Sequence, residues 1–176
     1  MKFKSTPNRC IHHNGEEIWI SRSVTVLPVL FFKKSETYYV PLGLRGADLP
    51  DAVGQWGLPG GYLDYDETAT GAVYREVWEE LGLDIPELLK TTRFKGNLEQ
   101  PYEVFSIPRR RQNVTLKYAL MFFLDTAPLP KLKPQVSQGE VVEAKWIEAN
   151  EAMQMPLAFN HHEVMKECLS QYYGIG

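Results

Sequence analysis

The chain has 176 residues, of which 44% are hydrophobic and 12% aromatic, and this composition is enough for one well-packed core. Its 19 basic and 22 acidic residues give a formal net charge of -3, which excludes an overall cationic field for non-specific binding to nucleic acid. We therefore predict a single compact domain over residues 1–176.

The termini and cysteines indicate a cytoplasmic protein. Cys10 and Cys168 provide no framework of paired cysteines, which argues against a secreted, disulfide-stapled class. Residues 1–17 are interpreted as an N-terminal extension and lack the apolar run of a signal peptide. The longest apolar segment, VTVLPVLFF, is too short to cross a bilayer, so no membrane insertion is expected.

The first elements predicted along the chain are two strands. Trp19 to Phe32 is rich in β-branched and aromatic residues and predicts a long strand with a bend or bulge at Pro28. Residues 38–44 are its expected hairpin partner, and the turn-rich residues 45–54 predict a loop.

A helix follows the glycine-rich turn at residues 57–61. Its pattern runs from about Thr68 to Leu81 and ends at Gly82, a residue suited to the left-handed position beyond a helix.

The second half of the chain predicts more strands and a terminal helix. The strands are expected at residues 91–94, 104–107, 114–125 and 142–147. Residues 126–140 predict a surface loop, and Asn160 with Glu163 resembles a capping pair that opens a helix through about Tyr172. This order of elements indicates an α/β protein with a mixed sheet covered on both faces.

Three glutamates share one side of the helix. Glu76, Glu79 and Glu80 follow i, i+3 and i, i+4 spacing, opposite the broad apolar side formed by Val73, Tyr74, Val77, Trp78 and Leu81. Like charges at these spacings repel by roughly 0.2–0.5 kcal/mol per pair, and the helix dipole disfavours anions near its C-terminal end. We interpret the carboxylates as a platform for a divalent cation, with a solvated acidic face as the alternative.

Nine positions around this helix follow the spacing G-x5-E-x7-R-E-[apolar]-x-E-E-x-G-[apolar], without a gap or substitution, over residues 61–83. They are Gly61, Glu67, Arg75, Glu76, Val77, Glu79, Glu80, Gly82 and Leu83. This stretch resembles the signature box of the Nudix hydrolase superfamily, the MutT-like proteins. With the GLPGG lead-in and the order of strands, the resemblance extends from about Ile18 to Tyr172.

The resemblance implies a fold, an activity and a set of site residues. The fold is an α/β/α sandwich with a central mixed sheet, in which the box forms a loop-helix-loop. The activity is hydrolysis of a nucleoside diphosphate linked to another moiety, with Mg²⁺ or Mn²⁺ as cofactor. Carried over by position, Arg75 orients the glutamates, and the metal ligands are the Gly60 carbonyl, Glu67, Glu76, Glu79 and Glu80.

The general base is expected to be a carboxylate that contacts the metal-bound water. Within the box Glu79 or Glu80 can serve, whereas many relatives use a glutamate from a later loop. Glu140 is slightly favoured here, and an ordinary surface glutamate is the alternative. The other candidates are Glu99, Glu103 and Glu143.

Features outside the box bear on the substrate. Pro101 and Tyr102 give cues that do not separate ADP-ribose from dinucleoside polyphosphates, and an ADP-ribose or nucleotide-sugar type is favoured over nucleoside triphosphates. Arg109–Arg111 suggests an RNA 5′ end as a less favoured substrate, with a solvated loop as the alternative. The aromatic candidates for stacking on a base are Tyr102, Phe105 and Tyr118.

Two further hypotheses concern role and assembly. A Nudix-fold regulator that binds a nucleotide without catalysis is the hypothesis from another class, but the damage it predicts to the glutamates is missing. Many relatives are homodimers, so the resemblance leaves a homodimer open, with the N-terminal segment as a partner strand.

Histidines and cysteines cluster at two places. These are Cys10 with His12 and His13, and Cys168 with His161 and His162. Neither cluster has the paired spacing of a structural zinc module, so zinc is not predicted.

Overall fold

The computed structural model describes residues 9–20, 24–64, 66–106 and 114–175. Its strands are β1 (Arg9–His13), β2 (Glu16–Ile20), β3 (Val24–Lys34), β4 (Thr37–Arg45), β5 (Trp56–Gly57), β6 (Gly61–Tyr62), β7 (Arg93–Gly96), β8 (Glu103–Ser106), β9 (Val114–Asp125) and β10 (Val141–Glu148). Its helices are α1 (Ala69–Leu81), α2 (Ile85–Thr91), α3 (Ala149–Ala152) and α4 (His161–Glu167). A 3₁₀ turn at Ala158–Asn160 precedes α4, and a π turn at Cys168–Tyr172 continues it.

The main sheet is mixed, as the sequence predicted. Its strand order is β10-β4-β3-β9-β7, and the short strands β5, β6 and β8 pair with β4, β3 and β9 respectively. The central pair β3 and β9 is parallel, whereas the other pairs of this sheet are antiparallel. The predicted hairpin of β3 and β4 is confirmed, and β9 occupies the interior position expected for it.

Helices cover both faces of the central strands. On one face, even-numbered residues of β3 and β9 such as Leu30 and Leu120 pack against α1. On the other face, odd-numbered residues such as Phe31 and Met121 pack against α4 and the turn after it. Because successive side chains point to opposite faces, the covered stretches of both strands, such as residues 29–32 and 118–122, are apolar on both faces. This arrangement confirms the α/β sandwich.

The single strand predicted from Trp19 to Phe32 is wrong. Trp19 belongs to β2, whose partner is β1, while Phe32 belongs to β3. The bulge predicted at Pro28 is also absent, since Pro28 lies in regular register with Tyr118 of β9. The shift in that register falls between Lys33 and Lys34 instead.

The N-terminal hairpin, formed by β1 and β2, is a two-stranded sheet of its own. Asn14 and Gly15 join its strands with φ angles of 52° and 82°. Positive φ at both central residues is the mark of a type I′ turn, for which Asn-Gly is the favoured sequence. The interpretation of residues 1–17 as a plain extension overlooked this signal.

Local capping explains where the helices begin and end. The Thr68 hydroxyl accepts a hydrogen bond from the Gly71 N–H at 3.0 Å, and Gly82 ends α1 with a φ of 71°. The Asp84 carboxylate opens α2 in the same way, a helix that the sequence analysis missed. The capping pair predicted at Asn160 is wrong, because Asn160 has a φ of 60° and no side-chain capping bond.

Among the described residues, no helix combines the length and apolar character needed to cross a bilayer.

Candidate active site

Arg75 lies at the centre of the charged side of α1. Its Nε and Nη2 donate to the Glu67 carboxylate at 2.9 and 3.0 Å, and its Nη1 donates to Glu76 at 2.7 Å and Glu79 at 3.1 Å. Nη2 also donates to the Tyr62 carbonyl at 2.9 Å. One guanidinium therefore holds three of the predicted metal-ligating carboxylates in fixed positions.

Glu67 connects the loop of the box to the helix. The loop folds back because the Asp64 N–H donates to Glu67 Oε2 at 3.2 Å. With Arg75 bound on its other side, the Glu67 side chain is only 16% exposed. The structure thus places Glu67 beside the other glutamates, as the resemblance implies.

The glycine-rich turn reaches the glutamates through its backbone. The Gly60 N–H donates to Glu80 Oε2 at 3.2 Å, so Glu80 is held at the turn and not by Arg75. Gly60 has a φ of 152°, and a Cβ there would overlap the Val26 carbonyl oxygen. A Cβ at Gly61 would overlap the Glu76 carboxylate. Both positions need glycine for the turn to approach α1 this closely.

Two carboxylates of the cluster lie in surroundings that disfavour their charged form. Burial raises the pKa of Glu76 to about 7, although the charge and hydrogen bonds of Arg75 oppose the shift. Burial of its carboxyl group, followed by the charge of Glu76, raises the pKa of Glu80 to about 8. A divalent cation would remove this penalty, and clustered carboxylate oxygens are the ligands that Mg²⁺ prefers. The residues present therefore fit the metal that the fold implies.

Glu140 lies in the turn before β10 and within electrostatic reach of α1. Burial raises its pKa, and the charges of Glu79 and Asp48 raise it further. The preceding loop wraps the end of α1, since the Lys133 N–H donates to the Leu81 carbonyl at 2.9 Å and the Gln135 N–H to the Glu79 carbonyl at 2.7 Å. This loop, predicted from its prolines, brings Glu140 towards the glutamates.

The other candidate bases have different surroundings. Glu103 is bonded to the Lys117 ammonium at 2.7 Å, and Glu143 pairs with Lys145 at 3.1 Å. Glu99 is exposed. The pKa of Tyr74 is raised mainly by burial of Tyr74 and further by the charge of Glu99. Among these four glutamates, Glu140 is the one whose pKa is raised by the charge of Glu79, a glutamate of α1.

The structure separates the aromatic residues that were predicted to stack on a base. Tyr118 is only 1% exposed and belongs to the core, which rules it out as a stacking surface. Phe105 is 40% exposed, whereas the hydroxyl oxygen of Tyr102 is buried. Trp78, predicted on the buried side of α1, is 46% exposed. Arg109–Arg111 lies outside the described residues.

Arg45 and Phe159 adjoin the site, and the sequence analysis singled out neither. Arg45 ends β4, donates twice to the Asp51 carbonyl at 3.1 and 3.0 Å, and lies 4.9 Å from the ring centre of Phe159. Burial lowers the pKa of Arg45, while the charges of Glu80 and Asp51 oppose that effect. Arg45 is thus the cation on the Glu80 side of the cluster, complementary to Arg75.

Phe159 is presented to solvent by a strained turn. It is 56% exposed and has a φ of 52°, a conformation rarely adopted by a bulky residue. The turn is anchored by the next buried side chain, because the Leu58 N–H donates to His161 Nδ1 at 2.9 Å. The lead-in of the box and the start of α4 are therefore locked together.

Comparison with known proteins agrees with this geometry. The family model described as NUDIX domain matches residues 16–168, and the chain belongs to the Nudix family. A relative from Acinetobacter baylyi, an ADPR responsive transcriptional repressor NtrR, is 25% identical over 118 residues. That match covers 66% of this chain but only 41% of the repressor, so the chain spans less than half of that relative's length.

Two further proteins are similar over more of their length. An RNA pyrophosphohydrolase from Bartonella tribocorum is 27% identical over 135 residues, or 74% of this chain and 77% of the relative. The solved NUDIX domain of Shewanella oneidensis NrtR, complexed with ADP ribose, superposes with a TM-score of 0.64 at 22% identity. It covers 87% of this chain and 90% of the solved domain, which shows that the two share a fold.

Proposed function

We propose that the chain hydrolyses the pyrophosphate bond of a nucleoside diphosphate linked to another moiety, with ADP-ribose or a nucleotide sugar as the substrate type. The observation that supports this proposal is the arrangement of Glu67, Glu76 and Glu79 around Arg75. Glu80 completes the cluster through its bond to the Gly60 backbone. Burial and mutual repulsion disfavour the charged forms of these carboxylates, so their clustering is hard to explain as an ordinary solvated helix surface.

The proposed metal is Mg²⁺ or Mn²⁺. Its ligands would be the carboxylates of Glu67, Glu76, Glu79 and Glu80 with the Gly60 carbonyl. When bound, the metal supplies charge neutralisation for the diphosphate and lowers the pKa of a coordinated water. The protein's own contribution is to fix the carboxylates before the substrate arrives.

Each remaining side chain has a proposed task. Arg75 positions Glu67, Glu76 and Glu79 through its fork of hydrogen bonds. Glu140 accepts the proton of the attacking water, and its raised pKa moves it towards the range suited to a base near neutral pH. Arg45 faces the substrate phosphates, while the exposed ring of Phe159 offers a surface on which a planar base can stack.

The type of substrate is supported by relatives. The name of the Acinetobacter repressor includes response to ADPR, and the solved Shewanella domain contains ADP ribose. An ADP-ribose-type molecule has a diphosphate for the carboxylate cluster and an adenine for Phe159. This agreement places it first among the substrates to test.

The similarity to the Bartonella protein favours a second candidate, hydrolysis of the 5′ triphosphate end of RNA. The same carboxylates and the same base would serve it. A nucleotide-binding regulator without catalysis, suggested by the repressor's name, is less favoured because the glutamates of α1 are all present.

The proposal is tested by incubating the protein with Mg²⁺ and a panel of ADP-ribose, nucleotide sugars, nucleoside triphosphates and 5′-triphosphorylated RNA. Release of nucleoside monophosphate from ADP-ribose is the expected result. Glu79→Gln should lower turnover by about 100-fold or more while the variant stays folded. The matched control is Glu87→Gln in α2, where the carboxylate pairs only with exposed Lys90 among the bonds described.

Two results would contradict the proposal. One is the absence of turnover on every substrate together with calorimetry that detects no uptake of Mg²⁺ or Mn²⁺. The other is near-normal turnover in folded Glu79→Gln. Turnover of RNA alone would move the assignment to the second candidate.

A further inference from the structure

The N-terminal hairpin carries three side chains with different metal-binding atoms. They are Cys10 and His12 in β1 and Glu17 in β2. Their sulfur, nitrogen and oxygen ligand atoms all lie within 4.8 Å of one another. This hairpin is a separate sheet from the one that supports α1, and none of the three residues belongs to the glutamate cluster of the candidate active site.

The register of the hairpin brings the three residues together. His12 lies directly opposite Glu17, and Cys10 lies two residues before His12. Residues two apart in a strand share a face, and directly opposed residues have neighbouring side chains. Cys10, His12 and Glu17 therefore project from one face of the hairpin. Cys10 is partly buried, while His12 and Glu17 are exposed.

We propose that Cys10, His12 and Glu17 bind one Zn²⁺ ion, with water in the fourth position. Zn²⁺ takes thiolate, imidazole and carboxylate ligands in tetrahedral sites, and three protein ligands with one open position is an established arrangement. Ideal bond lengths put the ligand atoms of a tetrahedral Zn²⁺ site about 3.4–3.6 Å apart, so metal binding would draw the three side chains slightly closer together. A thiolate and an imidazole do not suit Mg²⁺, which separates this site from the glutamate cluster.

The opposite face of the same hairpin is an internal comparison. His13 lies directly opposite Glu16 there, which repeats the His–Glu pair. The position equivalent to Cys10 is taken by Ile11, which lies opposite Ile18. Only the face with Cys10 carries a thiol, so zinc is assigned to that face.

Zinc at this site would join β1 to β2. A two-stranded hairpin alone is marginally stable in water, and a metal that binds both strands adds its binding free energy to the folded form. The tight turn at Asn14–Gly15 keeps the strands in register before the metal binds. Zinc is therefore expected to order the hairpin without taking part in hydrolysis.

The test uses the whole chain after removal of metals with a chelator. Zn²⁺, or Co²⁺ in a separate sample, is added in the presence of excess Mg²⁺, which competes for the proposed site at the carboxylates of α1. We expect one Zn²⁺ per chain, and with Co²⁺ a sulfur-to-cobalt charge-transfer band, which carboxylates alone do not give. Cys10→Ser should abolish the band, and His12→Gln or Glu17→Gln should weaken Zn²⁺ binding at least ~10-fold.

Two matched controls complete the experiment. His13→Gln changes the opposite face, and Cys168→Ser removes the buried second thiol. Both should keep the band and the affinity. Absence of the band in the unmodified chain, its survival in Cys10→Ser or its loss in Cys168→Ser would each overturn the proposal. Hydrolysis is not a readout here, so failure of the zinc site leaves the proposed activity untouched.

Discussion

Arg75 and Glu67 are joined by two parallel hydrogen bonds, from Nε to Oε1 at 2.9 Å and from Nη2 to Oε2 at 3.0 Å. Only a planar guanidinium can make such a pair with a carboxylate. Glu67 lies before α1, and Arg75 lies in its second turn, so this pair fixes the loop against the helix. The same guanidinium also bonds Glu76 and Glu79, which makes it the main positive partner of the cluster.

Arg75→Lys is therefore expected to impair the site although it keeps the charge. The fork to Glu67 is lost, so kcat should fall at least ~10-fold and the free energy of unfolding by ~1 kcal/mol. Arg75→Gln should be worse, at ~2 kcal/mol or more, because the carboxylates lose their cation. Denaturant unfolding with and without Mg²⁺ measures both effects.

Added Mg²⁺ should recover more stability in Arg75→Gln than in Arg75→Lys, since the metal replaces the missing charge. Arg93→Gln is the control, because Arg93 is exposed and lies 3.8 Å from exposed Asp125. Equal stability of both Arg75 variants in the absence of metal would contradict this account of the cluster.

Glu140→Gln should separate the general base from the metal ligands. The amide cannot accept the proton, so kcat should fall roughly 100-fold or more, and the affinity for Mg²⁺ should change little. The pH profile of kcat should also lose its acidic limb. Glu143→Gln, which removes the partner of Lys145, serves as control and should keep both kcat and the profile.

An unchanged kcat in Glu140→Gln would move the role of base back to a glutamate of α1. Loss of Mg²⁺ affinity together with kcat would instead make Glu140 a metal ligand.

The sequence was sufficient where the signals are local. Thr68, Gly82 and the apolar spacing between them predict α1 within one residue of its observed start. Residues 114–125 predict β9, and its end is apolar on both faces because that part of the strand is covered on both sides. The Nudix box combines the spacing of glutamates with the glycines that let the turn approach the helix.

Long-range contacts explain what the sequence did not show. Arg45 and Phe159 are 114 positions apart, and only the packing of the turn before α4 against the sheet brings the ring to the guanidinium. The capping prediction at Asn160 failed because the buried His161 accepts the Leu58 N–H, which holds the turn in another conformation. The N-terminal hairpin is different, since its Asn14–Gly15 signal was local and was overlooked.

Phe159→Leu is expected to affect substrate binding more than chemistry. Stacking of a base on an aromatic ring contributes ~1–3 kcal/mol, so KM should rise about 5-fold or more with kcat within about two-fold. Steady-state kinetics with ADP-ribose measures the split. Phe105→Leu is the control, since Phe105 is also exposed but lies in β8 beside Lys117. A rise of KM in the control alone would move the stacking surface to Phe105.

His161 should make the fold sensitive to acid. Burial, followed by the charges of Arg45 and Lys117, lowers the pKa of His161 from 6.5 to about 3 in the folded protein. Between these values the unfolded chain binds a proton that the folded chain excludes, so this residue lowers the free energy of unfolding as the pH falls from 6.5 towards 3.

His161→Gln can still accept the Leu58 N–H but does not titrate. Its stability deficit relative to the unmodified protein at pH 7 should therefore shrink as the pH falls, because other titrating groups contribute equally to both proteins. Denaturant unfolding of both proteins across this range is the measurement, with His13→Gln as the exposed control. Parallel stability curves for the unmodified protein and His161→Gln would show that the imidazole carries no such linkage.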